Sequence, residues 1–148
     1  MARKPTGGDT DQLRAAAAGQ CDLAIANTYY FGRLIDSKKT ADREVVSKLG
    51  VFFPNQDGRG SHINVSGIGV TKHAKNRTEA VRLLEFMVSD DAQAYYAEIN
   101  HEYPVVSGVV SSPTIASLGE FKSDALNLGV LGVNNQSAVK LMDRAGWQ

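Results

Sequence analysis

The order of the predicted elements constrains the fold of this chain more than any other feature, because helical segments with recognisable ends alternate with short apolar runs. The first helix begins at Asp9 and closes at Gly19. The apolar run 22–26 follows, and the next helix begins at Asn27 or Thr28. Asp and Asn are favoured at helix starts, and Gly is favoured directly after helix ends. A short apolar run between two helices is typical of a buried strand, so the alternation predicts an α/β fold.

The same pattern continues through the rest of the chain. Two β-rich runs, Gly50–Phe53 and Ile63–Thr71, flank a loop that contains Gly and Asp. Amphipathic spacing and cap residues predict four further helices, within the segments 76–89, 89–100, 111–119 and 135–147. The last of them is expected to stop at Gly146.

Composition excludes several classes of function. The 148 residues are 43% hydrophobic, which suffices for one domain with a core. Sixteen basic residues balance sixteen acidic ones, so no long-range field favours nucleic acid or an anionic membrane surface, and we expect no nucleic-acid partner. The start "MARKPTGG" lacks the apolar segment of a secretory signal peptide, and no run reaches the ~20 apolar residues that span a bilayer. The one cysteine, Cys21, excludes an internal disulfide.

Two tandem tyrosine pairs occupy different places in the predicted elements. Tyr95 and Tyr96 lie in the middle of a helix, where packing explains both rings. Tyr29 and Tyr30 lie where a predicted strand gives way to a helix, and open α/β folds bind ligands at that edge of the sheet. Their location at this edge makes Tyr29 and Tyr30 a candidate binding site.

Two converging phenols suit a hard, highly charged cation such as Fe³⁺, because a strong positive charge is needed to expel protons with a pKa near 10. His62, His73 and His101 have no helical ligand spacing, so Zn²⁺ is not supported, and scattered carboxylates do not support Ca²⁺. Two alternatives remain open. One is a module that binds another small solute, such as an anion or a cationic metabolite. The other is an enzymatic proton-transfer site that includes Arg33, for which no second catalytic group is placed.

Five segments carry a resemblance to a known family: "GGDTDQLRAAAAGQCDLAIANTYYFGRL", "SHINVSGIGVTKHAKN", "EAVRLLEFMVSDDAQ", "NHEYPV" and "AVKLMDRAGW". In colinear order they resemble the C-terminal part of the ferric-iron substrate-binding proteins of bacterial ABC transporters. The resemblance implies a partial type II periplasmic-binding-protein fold, with Fe(III) held by phenolates of Tyr29 and Tyr30. It also implies that Asn27, Gly8 and Thr10 contact a synergistic anion, carbonate or phosphate. No bond-making chemistry is implied, so we do not expect an enzyme.

The resemblance also implies how the chain is divided. Residues 1–59, with the tyrosine pair, and residues 111–148 are expected to belong to the C-terminal lobe of a two-lobed protein, and residues 60–110 to its N-terminal lobe. Family members are longer, are periplasmic and deliver iron to an ABC permease. We therefore expect this chain to be a fragment that lacks most of the N-terminal lobe, and to pair as a homodimer because apolar faces lose their neighbours.

Overall fold

The structure is a computed structural model that describes residues 6–147. Helices are its main elements. The described residues form seven of them: α1 (Asp9–Ala17), α2 (Thr28–Ile35), α3 (Thr40–Val46), α4 (Arg77–Met87), α5 (Asp90–Asn100), α6 (Pro113–Ala116) and α7 (Gly129–Arg144).

The start of α1 lies one residue before the predicted position. Gly8 is the N-cap, and the prediction of Asp9 as N-cap is wrong. Asp11, three residues into the helix, accepts a hydrogen bond from the Gly8 backbone N–H at 3.0 Å and so provides one half of a capping box. The Asp9 carboxylate instead accepts hydrogen bonds from Asn27, the residue directly before α2. Gly19 closes the segment as predicted, with a φ of +73° that suits glycine.

Most of the other helix starts follow their cap residues. Asn27, one of the two predicted starts, is the N-cap of α2. Ser89 is the N-cap of α5, where its hydroxyl accepts a hydrogen bond from the Ala92 backbone N–H at 3.3 Å. The short helix α6 also lies where it was predicted. Two helices differ: α7 begins at Gly129, before the predicted segment, and α3 was not predicted at all.

The predicted strands are not formed among residues 6–147. Backbone at 22–26, Gly50–Phe53 and Ile63–Thr71 lies outside helices, and no strand is assigned to it. A strand exists only through hydrogen bonds to a neighbouring strand. In the described part of the chain, the only such pairing is an isolated parallel bridge between Ser61 and Ser123. The strand predictions are therefore wrong for this structure, and Leu23 and Ile25 of the first run are 87% and 84% exposed.

The chain divides into two compact units, and the first comprises residues up to Phe52 together with Asn64–Glu120. Its core is built by Leu13 of α1 with Phe31 and Leu34 of α2. Partly buried residues pack around these three: Ala26, Tyr30, Ile35, Val45, Val46, Leu49 and Leu118. Helix α2 is thus fixed by apolar contacts on the side opposite to its exposed Arg33.

Polar contacts fasten α3 to the rest of the first unit. The buried Asp42 accepts a hydrogen bond from the Arg14 guanidinium of α1 at 2.9 Å and from the Ser37 hydroxyl at 2.7 Å. At the far end of α2, Asp36 accepts a hydrogen bond from the Thr114 hydroxyl of α6 at 2.8 Å. These bonds hold α1, α2, α3 and α6 in one frame, which carries the tyrosine pair.

The second unit comprises Phe53–Ile63 and the chain from Phe121 onwards. Its two segments are joined by the stacked rings of Phe53 and Phe121, whose centroids are 4.3 Å apart. The Gln56 side chain accepts a hydrogen bond from the Lys122 backbone N–H at 2.7 Å, and Arg59 pairs with Asp124 at 3.2 Å. None of the helices within residues 6–147 is long and apolar enough to cross a membrane.

Candidate metal-binding site

The tyrosine pair lies in the first turn of α2, as the sequence predicts. The ring centroids of Tyr29 and Tyr30 are 4.5 Å apart and their planes are inclined by 40°. Both residues are partly exposed, and Tyr30 packs against the core cluster of Leu13, Phe31 and Leu34. Successive residues of a helix are rotated by ~100°, so rings this close must lean towards each other. The pair is therefore a single surface feature.

Arg33 covers both rings. Its guanidinium carbon is 5.4 Å from the centroid of Tyr29 and 5.4 Å from that of Tyr30, at the three- and four-residue spacings that share a helix face. The side chain is exposed, yet it is close enough for a cation–π interaction with each ring. The positive charge of Arg33 beside the Tyr29 phenol favours the ionised form of that phenol.

Several influences act on the pKa of Tyr29. A side-chain hydrogen bond with Tyr30 is the largest cause that raises it, followed by burial of the ring and by the negative charges of Tyr30 and Asp9. The charge of Arg33 acts in the opposite direction. In the metal-free chain the Tyr29 phenol is thus protonated at neutral pH, and a bound cation must expel that proton.

Asp9 and Asn27 form the polar edge of the site. One carboxylate oxygen of Asp9, Oδ2, accepts hydrogen bonds from the Asn27 backbone N–H at 2.8 Å and from Asn27 Nδ2 at 3.1 Å. On the other side, Asn27 Oδ1 accepts a hydrogen bond from Asn64 Nδ2 at 3.1 Å. Three separate stretches of the chain therefore meet at the start of α2.

The two remaining residues predicted to contact an anion lie at the start of α1. Gly8 donates its backbone N–H to Asp11, and Thr10 is a partly exposed residue of the first turn. Asp9 lies between them and directs its carboxylate to Asn27. The structure thus brings Asp9 and Asn27 together through hydrogen bonds, whereas it records no such bond from Asn27 to Gly8 or Thr10.

The other candidate ligands are not gathered into a site. Residues 6–147 contain no group of three or more His, Cys, Asp and Glu side chains that could hold a metal ion. His101 is buried at the end of α5, where its φ is +60° and its Nε2 lies 3.6 Å from an oxygen of Asp36. His62 and His73 are exposed. In this part of the chain, phenol oxygens are the main candidates for a hard cation.

Sequence reasoning missed the hydrogen bonds by which two residues of this arrangement reach Asn27. Asp9 was assigned to capping α1, and Asn64 was not singled out. Their bonds to Asn27 join residues separated by 18 and 37 positions, so no helical or strand spacing could have indicated them. The apolar–polar pattern around Asn64 gave only a strand prediction.

The chain matches the family model of bacterial extracellular solute-binding proteins over residues 5–123, so it belongs to that family. It is 52% identical to Iron uptake protein A1 of Synechocystis sp. over 148 residues, which cover the whole of this chain and 41% of that protein. The chain thus spans less than half the length of this curated relative. The relatives are named as iron-binding and iron-uptake proteins rather than as enzymes.

Two solved structures match nearly the whole chain. A Trichodesmium protein (IdiA, FutA), solved in complex with iron and citrate, has a TM-score of 0.93 and 49% identity over 99% of this chain and 46% of its own. The ferric binding protein from Campylobacter jejuni has a TM-score of 0.94 and 42% identity over 100% of this chain and 47% of its own. These matches confirm a partial type II periplasmic-binding-protein fold and the resemblance inferred from the sequence.

Proposed function

We propose that this chain contributes ferric-iron ligands to a binding protein of an iron-uptake system. The observation that carries the proposal is the contact between Tyr29 and Tyr30 at the start of α2, with ring centroids 4.5 Å apart. It is supported by 52% identity to a protein named for iron uptake and by the similarity to a structure solved with iron and citrate.

The proposed role of each residue follows from its chemistry. Tyr29 and Tyr30 supply hard phenolate oxygens once Fe(III) has expelled their protons. Arg33 offsets part of the negative charge of the phenolates from the helix surface. Asp9 adds a negative charge that attracts a trivalent cation, since its charge already acts on Tyr29. Two phenolates fill only part of the coordination shell of a metal ion, so other groups must complete it.

A synergistic anion, carbonate or phosphate, is the further part of the proposal. It would complete the metal shell beside Asn27, Gly8 and Thr10. Both nitrogen donors of Asn27 are bound to Asp9, and the Gly8 N–H is bound to Asp11. An anion at this place would compete with the Asp9 carboxylate for these donors, so Asp9→Asn should strengthen any dependence of iron binding on added carbonate or phosphate.

The setting of this function is proposed from the family. We propose that the protein works in the periplasm and passes iron to an ABC permease, with residues 60–110 belonging to the N-terminal lobe and the flanking residues to the C-terminal lobe. A homodimer of this chain is also proposed, because Val65 and Ile68 are exposed. Light scattering over a dilution series tests it, and the mass of a single chain at micromolar concentration would exclude the dimer.

Titration with ferric citrate tests the iron proposal. Phenolate bound to Fe(III) absorbs visible light, whereas the alternative, a module for an anion or a cationic metabolite, gives a colourless complex. We expect a visible charge-transfer band in the parent chain and none in the variant with Tyr29→Phe and Tyr30→Phe. An unchanged band in that variant, or no band in the parent, would refute the proposal.

A further inference from the structure

Asn27 is a favoured type of N-cap residue that does not cap its own helix. Its backbone is extended, with φ −72° and ψ +143°, but its side chain makes no capping hydrogen bond to α2. An Asn at this position ordinarily accepts a hydrogen bond from the second or third N–H of the helix. Here the carboxamide is used between Asp9 and Asn64 instead, so its orientation is set by groups outside α2.

The orientation of that carboxamide follows from the chemistry of its neighbours. Only the nitrogen end can donate to a carboxylate, and Asn27 directs both Nδ2 and its backbone N–H to the same oxygen of Asp9. The oxygen end then faces away from Asp9 and needs a donor. Asn64 Nδ2, at 3.1 Å, is that donor.

We infer that Asn64 is a positioning residue, which fixes the Asn27 carboxamide in the orientation that holds the Asp9 carboxylate at the start of the tyrosine helix. Asp9 binds through both nitrogens of Asn27, so any rotation of the carboxamide removes one of its two hydrogen bonds. The position of a negative charge beside the tyrosine pair thereby depends on a residue 37 positions further along the chain.

The consequence for iron rests on the proposed function. A carboxylate kept in place near two phenolates attracts a trivalent cation without having to be ordered first. Loss of the Asn64 hydrogen bond removes one neutral bond from this network. We expect iron affinity to fall by about two- to tenfold, in line with the net worth of such a bond.

Nuclear magnetic resonance of the metal-free chain tests the orientation itself. We expect Asn64→Ala to move the Asn27 side-chain NH₂ signals towards those of a solvent-exposed amide. Asn64→Asp should move them further, because a carboxylate would face the Asn27 oxygen. Asn64→Gln keeps an amide donor and should restore the parent signals in part. Asn134→Ala, at an exposed position of α7, is the matched control and should change nothing.

Competition with citrate then measures the iron affinity of Asn64→Ala, of Asp9→Asn and of the variant that combines both changes, which together form a double-mutant cycle. If Asn64 acts through Asp9, the double variant binds iron no more weakly than Asp9→Asn alone. Thermal unfolding of each variant gives the fraction of folded protein at the temperature of the titration. If Asn64 acts by orienting Asn27 and not through stability in general, Asn64→Gln and Asn64→Ala should differ in iron affinity when their folded fractions are equal.

Two results would overturn the inference: unchanged Asn27 signals in both Asn64→Ala and Asn64→Asp, or additive losses of iron affinity in the double variant. Failure of the parent chain to bind iron would refute the proposed function instead. In that case the signals of the metal-free chain alone decide whether Asn64 orients Asn27.

Discussion

The two tandem tyrosine pairs of the chain show how position decides what the same dipeptide can do. Tyr29 and Tyr30 lie in the first turn of α2 with centroids 4.5 Å apart, whereas Tyr95 and Tyr96 lie within α5 with centroids 6.2 Å apart and planes inclined by 66°. The first pair has a cation over both rings and a carboxylate that acts on one phenol. In the second pair, Tyr95 and Tyr96 contact each other through their rings.

The difference extends to the start of each helix. In α5 the N-cap Ser89 uses its hydroxyl to cap the helix. In α2 the side chain of the N-cap residue Asn27 does not cap the helix, and it forms hydrogen bonds with Asp9 and Asn64 instead. Where a local rule of helix formation is set aside for long-range contacts, a functional site is a common reason. The start of α2 fits that pattern, and the start of α5 follows the ordinary one.

The largest expected effect separates the two pairs directly. Tyr95→Phe with Tyr96→Phe should leave the ferric charge-transfer band and the iron affinity unchanged, whereas the same double change at Tyr29 and Tyr30 should abolish the band. The reason is that only the first pair lies beside both Arg33 and Asp9. Parallel titrations with ferric citrate measure both variants. If the band fell equally in the two, the distinction between the pairs would be lost.

A smaller effect is expected where the two helices meet. The backbone of Gly32 in α2 approaches His101 at the end of α5 so closely that an added Cβ would lie 2.8 Å from His101 Cβ and 2.9 Å from its Cγ. Gly32→Ala must push the two residues apart, and overpacking of this kind costs about 1–3 kcal/mol of unfolding free energy. The gain in helix propensity, about 1 kcal/mol, offsets part of that cost.

Chemical denaturation measures this change, and Gly132→Ala in α7 is its control. Nothing lies within 4 Å of a Cβ added at Gly132, so that variant should gain stability through helix propensity alone. Equal gains in both variants would show that α2 and α5 are not in close contact at Gly32.

The sequence predicted the elements whose signals are local. The starts of α2, α5 and α6 follow from Asn27, Ser89 and Ser112, whose side chains favour the position before a helix. Helix α3 was missed because Lys39 is its N-cap, which is not a favoured cap residue, and because it has only 7 residues. Its attachment through Asp42 to Arg14 joins residues 28 positions apart.

Long-range geometry accounts for the other differences. Apolar runs such as 22–26 have strand composition, but composition cannot supply the neighbouring strand that hydrogen bonding requires. The tyrosine pair was predicted because two consecutive ligands stand out in a sequence. Its partners Asp9 and Asn64 were not, because they reach the start of α2 from other elements.

The two helix starts lead to a third prediction. Ser89→Ala removes the hydroxyl that caps α5 and should lower the free energy of unfolding by about 0.5–2 kcal/mol without changing the iron titration. Asn27→Ala should instead weaken iron binding, because Asp9 loses one of its two hydrogen bonds at the site. Denaturation and ferric citrate titration of both variants form the test. A loss of iron binding in Ser89→Ala would show that the two helix starts are not functionally distinct.

The smallest effect should come from a change at Asp42, whose hydrogen bonds join α3 to α1 in the frame that carries the tyrosine pair. The Ser37 hydroxyl and the Arg14 guanidinium hold the pKa of Asp42 below its usual value. A lowered carboxyl pKa stabilises the fold above the ordinary value of about 3.9, and this contribution is lost as the pH falls through the lowered pKa. Asp42→Asn should therefore reduce stability at pH 7.

That reduction should disappear in acid, once Asp42 of the parent is protonated as well. The effect is expected to be modest because Arg14 is half exposed, and solvent screens exposed ion pairs. Thermal unfolding of parent and variant between about pH 7 and pH 2 measures the difference, with Asp57→Asn at an exposed position as the control. A difference that stays constant down to pH 2 would mean that Asp42 acts through packing rather than charge. The charge of Asp42 would then contribute nothing to the stability of the frame around Tyr29 and Tyr30.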